Sequence, residues 1–62
     1  MSRLIFQVIK HEGAWAVEHQ GAYSNRAIEK AVAVASANRL ARNAIATGAA
    51  VQVRIEGESG YF

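Results

Sequence analysis

From Arg26 to Thr47 the chain contains neither glycine nor proline and is rich in alanine, the residue with the highest helix propensity. This spacing predicts one helix over 26–47, about 33 Å long at ~1.5 Å per residue. Ser24 or Asn25 supplies a side-chain oxygen to cap its first free N–H groups. Gly48 is placed to end it in the left-handed conformation, and Arg39 and Arg42 lie toward the carbonyl end, where the dipole favours positive charge. At about 100° per residue, Ala33, Ala37, Leu40, Ala41 and Ala44 share one arc with Val34 on its flank, the stripe expected to cover a sheet. A second apolar set, Ile28, Val32, Ala35 and Ala46, lies roughly opposite, with Arg39 alongside. A single sheet covers one side of a helix, so the second stripe calls for a partner.

The flanking segments alternate as strands do. Leu4, Phe6 and Val8 alternate with Ile5, Gln7 and Ile9, with both faces apolar, which predicts a central strand whose Leu4, Phe6 and Val8 point inward. His11-Glu12-Gly13 forms a turn into a second strand, Ala14–His19, where Trp15 and Val17 share a face. Gln20-Gly21-Ala22-Tyr23 then leaves the sheet toward the helix. After the helix, Val51, Val53 and Ile55 alternate with Gln52, Arg54 and Glu56 as a third strand, followed by a turn at Gly57-Glu58-Ser59-Gly60. The reading is a single α+β domain over residues 1–62, of order ββαβ, with a three-stranded, mainly antiparallel sheet and one long helix on one face. Its third strand either pairs antiparallel with the first or lies parallel to the second through a right-handed crossover, and the edge beside the first is preferred.

Size limits the rest. A chain of 62 residues without cysteine lacks disulfide staples, and domains this small often lean on another chain for stability. The absence of cysteine also removes thiolate nucleophiles and Cys-based metal sites. The N-terminal run is broken by Gln7 and resembles no export signal, which points to the cytoplasm; no uncharged stretch approaches the ~20 apolar residues of a membrane span.

Chemistry is sparse. The chain has no Asp, its serines have no neighbouring His–Asp arrangement, and His11 and His19 stand at opposite ends of strand two. No catalytic residue, metal site or cofactor site is assigned. The formal charge is +2, with Arg26, Lys30, Arg39 and Arg42 opposed within the helical segment by Glu29 alone. These four with Arg54 are the candidate nucleic-acid contacts, brought together only across a dimer.

Phe6-Gln7-Val8, the turn with Gly13, Trp15-Ala16-Val17, Gly21-Ala22, the Ala-rich segment with Arg39-Leu40-Ala41, Gly48-Ala49, Val51-Gln52-Val53 and the terminal Gly60 together resemble a bacterial family of unknown function, number 2188. That resemblance implies a strand, a Trp hairpin, an Ala-rich helix and a final strand, and it implies no reaction. The expected role is therefore a non-enzymatic interaction module that pairs with itself, a homodimer with Ile28, Val32, Ala35 and Arg39 at the interface. The alternative is a small nucleic-acid-binding or regulatory module.

Overall fold

The computed structural model describes residues 3–57. The elements are β1 (Leu4–His11), β2 (Ala14–His19), β3 (Ala22–Ala27), α1 (Lys30–Ala46) and β4 (Val51–Ile55). They build an α+β fold in which one helix packs on a four-stranded sheet of order β3-β2-β1-β4. The sheet is mixed: β1–β2 and β2–β3 are antiparallel, whereas β4 runs parallel to β1.

Two dipeptides direct this path. His11 pairs with Ala14 and His19 with Ala22, so each hairpin closes on two residues, Glu12-Gly13 and Gln20-Gly21. All four have positive φ, 52° and 80° in the first turn and 53° and 83° in the second. This is the type I′ geometry, whose twist matches that of the strands it joins. The second turn receives a further tie, because the Gly21 N–H donates to Glu18 Oε2 at 2.7 Å.

The segment after Gly21 therefore folds back on β2 instead of leaving the sheet, which corrects the three-stranded reading. Its side chains hide this, since Ala22 to Arg26 are all exposed. Trp15 sits opposite Ala27 and Val17 opposite Ser24, so three steps along β3 match two along β2. The extra residue makes a bulge, and Asn25 accommodates it at φ 54°.

Ser24 and Asn25 consequently do not cap the helix; the Ser24 hydroxyl donates to Asn25 Oδ1 at 2.9 Å within β3. The helix begins at Lys30 rather than near Arg26, after an extended Glu29 that makes no side-chain cap. Arg26 and Ala27 belong to β3, and Ile28 lies in the link before the helix. At the other end the expected stop holds: Gly48 has φ 94°, its N–H donates to Ile45 O at 2.9 Å, and the Ala49 N–H donates to Ala44 O at 3.1 Å. These two bonds are the Schellman pattern.

The additional strand also reverses everything downstream. Three strands turn by hairpins before the helix crosses back, so β4 enters in the direction of β1 and pairs parallel to it, with Leu4 opposite Val51 and Val8 opposite Ile55. The edge beside β1 was expected; the parallel direction was not, because the antiparallel expectation followed from counting one strand too few. The turn predicted beyond Gly57 and the terminal Tyr61-Phe62 lie outside the described residues.

The core lies between the helix and one face of the sheet. Phe6, Val8, Val17 and Val53 meet Ala33, Ala37 and Ala41, and Leu4, Trp15, Val34, Leu40, Ala44, Val51 and Ile55 pack around them. The predicted helical arc is thus the buried one, and Ser36 joins it. Alanine at every fourth position lets the helix backbone approach the valine-bearing strands closely.

Two substitutions test this account by urea unfolding. Ala37→Leu forces a larger group into a fully buried site and costs about 1–3 kcal/mol or more. Gly21→Ala imposes a left-handed Ala and costs about 1–2 kcal/mol, although open space surrounds the position; an unchanged midpoint would refute the type I′ assignment.

Candidate functional site

Three regions carry groups able to meet another molecule. The first is the outer side of α1. Val32, Ala35 and Arg39 are exposed along it, as expected from the doubled stripe, and Val32 retains 52% of its accessible surface. Ile28, at 84%, continues this apolar patch from the link rather than from the helix itself.

The second region is the sheet face away from the helix. Alternation places Ile5, Gln7, Ile9 and His11 of β1 there beside Ala14, Ala16 and Glu18 of β2. Gln7 Nε2 donates to Glu18 Oε1 at 3.1 Å, so the carboxylate ties β1, β2 and the Gly21 turn together. The His11 and Tyr23 rings stack with centroids 3.8 Å apart and planes within 4°. These rings come from the two strands flanking β2, so they meet across it, where the small Ala14 and Ala16 leave room and are themselves buried. Arg26 closes this end: its Nη2 donates to the Glu12 carbonyl at 3.2 Å, and its Nη1 lies 3.6 Å from Glu12 Oε1.

The third region surrounds Trp15. Lys10 Nζ and Lys30 Nζ lie 5.2 Å and 5.3 Å from its ring, within cation–π range. Sequence reading put Trp15 on one face with Val17 and Lys30 in a nucleic-acid set but did not connect them with Lys10. The signal was the strand alternation, which puts Lys10 on the face of Leu4, Phe6 and Val8.

The five basic candidates are not brought together. Arg26 is engaged with the β1–β2 turn, Lys30 adjoins Trp15, Arg39 and Arg42 are exposed on the helix, and Arg54 lies on the open sheet face, where it donates to Gln52 Oε1 at 3.2 Å. His11 and His19 likewise belong to different faces. His19 stacks on Phe6 at 4.4 Å, and its Nδ1 lies 2.9 Å from the Ile5 carbonyl, an acceptor that requires this nitrogen to carry the proton. Among the described residues no three His, Cys, Asp or Glu side chains gather to hold a metal ion, and no helix is long and apolar enough to cross a membrane.

A family model described as "Uncharacterized protein conserved in bacteria (DUF2188)" matches residues 6–61. The chain belongs to this family. The match takes in β2, β3, α1 and β4 whole and β1 from Phe6 onward. Comparison with curated proteins and with solved structures found no match.

Replacing either Lys10 or Lys30 by Met keeps the aliphatic stem and removes the ammonium over Trp15. Each change is expected to cost about 0.5–1 kcal/mol in urea unfolding followed by the fluorescence of this single tryptophan. A change in stability below ~0.2 kcal/mol for both would mean that the ammonium groups contribute through solvent contact alone.

Proposed function

We propose that this DUF2188 domain is a non-catalytic interaction module of the bacterial cytoplasm that associates with a second copy of itself through Ile28, Val32, Ala35 and Arg39. The observation that carries the reading is the exposure of Ile28 and Val32, at 84% and 52%, on a domain whose buried core contains few large side chains. Among the described residues, the fully buried side chains of greatest volume are Val8, Val17 and Val53. Covering the two large aliphatic groups against their symmetry mates would add apolar burial of about 25 cal/mol per Å². A small domain gains most from such an addition. Ala35, a turn beyond Val32, permits close helix approach, and Arg39 supplies a polar rim.

A nucleic-acid role draws less support from the geometry, because Arg54 and the pair Arg39 and Arg42 occupy different sides of the domain. A phosphate track needs its cations in line. Binding of DNA or RNA at low salt that weakens steeply as salt rises would favour that role instead.

Sedimentation velocity over a micromolar concentration series tests the main proposal. The wild-type chain is expected to exceed monomer mass, and Val32→Glu to shift the distribution toward monomer while the helical circular dichroism signal is kept. A wild-type monomer throughout would remove the proposal. Equal loss of folding and assembly in Val32→Glu would show that Val32 supports the fold rather than a contact between copies.

A further inference from the structure

The two edges of the sheet are built differently. On β3 the bulge at Asn25 and the exposed Ser24, Asn25 and Arg26 blunt the edge, as protective devices do. On β4 no bulge or proline intervenes, and among the described residues no strand lies beyond it.

The direction of the β4 backbone follows from its ladder with β1. The Leu4 N–H donates to Ala50 O at 2.9 Å, and the Glu56 N–H donates to Val8 O at 2.8 Å. A parallel ladder between those ends turns the N–H and C=O groups of Gln52 and Arg54 toward β1. Val51, Val53 and Ile55 consequently direct both backbone groups away from the sheet, while their side chains face the helix layer. Beside them a groove of about 220 Å³, lined by Asn38, Ala41, Arg42, Ile45, Val51 and Val53, runs between helix and edge, and Ile45 is 57% exposed.

We infer that β4 pairs antiparallel with β4 of a second copy about a two-fold axis at Val53. This rests on the reading that the chain self-associates and adds a contact surface separate from the helix stripe. The sequence of the strand is complementary to itself in that register. Val53 meets Val53 of the second copy, and Val51 meets Ile55, each pair exchanging two backbone hydrogen bonds. On the open face Arg54 stands opposite Gln52, so the cation meets an amide oxygen acceptor of the kind it already uses within its own chain. No like charges oppose each other in this register. The two sheets become one, both helices lie on the same side, and the two grooves join at the seam, where Ile45 from each copy lies over Val51 and Val53.

Amide hydrogen exchange on the full chain, followed by NMR at low and high protein concentration, reads the edge directly. Val51, Val53 and Ile55 are expected to exchange fast when dilute and to become protected as mass rises, while Gln52, Arg54 and Glu56 stay protected at both concentrations. Gln52→Arg brings guanidinium groups face to face twice in the symmetric contact and should weaken association roughly tenfold. The exchanged pair Gln52→Arg with Arg54→Gln restores a cation opposite an amide and should recover it.

Assembly with fast-exchanging Val53 and Ile55 amides would overturn the edge pairing and leave the helix contact standing. A monomer at every concentration would overturn both. Edge amides protected in a monomer would assign the edge to the chain's own remaining residues and overturn the pairing between copies. Failure of the exchanged pair to recover association would refute the register.

Discussion

The contact between an alanine ridge and a row of valines organises this domain. Ala33, Ala37 and Ala41 are buried against Phe6, Val8, Val17 and Val53, and the absence of longer helix side chains at those positions sets the approach of the two layers. With only valines as the largest fully buried groups, the core has little volume to spare, and a change of a few methylenes at the ridge disturbs it. Two aromatic residues bring polar partners to this layer: Trp15, partly buried beside the ridge, meets the two lysines, and Phe6, buried within the core, stacks on His19.

One helix on four strands leaves two kinds of unfinished surface, the outer side of the helix and the free strand edge, and the functional proposals follow from these. The open sheet face is finished differently. Its polar groups are tied within the chain by the Glu18 carboxylate and by the His11–Tyr23 stack over Ala14 and Ala16. That difference separates surfaces that satisfy themselves from surfaces that gain by association. The family description carries no activity, and among the described residues no three His, Cys, Asp or Glu side chains gather to hold a metal ion.

Much of this was legible in the residues. The apolar arc of the helix, its stop at Gly48, the inward set of β1 and the Trp hairpin all follow from periodicity and local turn chemistry, because each is decided within a few residues of itself. The exposed stripe at Val32, Ala35 and Arg39 was legible for the same reason. β3 was not, since its polar, exposed side chains carry no strand period and its left-handed Asn25 argues against regular pairing. The signal present was the Gln20-Gly21 dipeptide, of the same kind as Glu12-Gly13, which makes a hairpin only once β2 offers an edge to receive the returning chain.

The residues by themselves determined an α+β domain, the side of the helix that is buried and the side that is not. Only the folded chain decided that a strand stands between β2 and the helix, that β4 therefore runs with β1, and that Lys10 and Lys30 meet at Trp15. Helical and strand faces are properties of short periodic segments, whereas the direction of a strand depends on how many reversals precede it. One two-residue turn was enough to invert it.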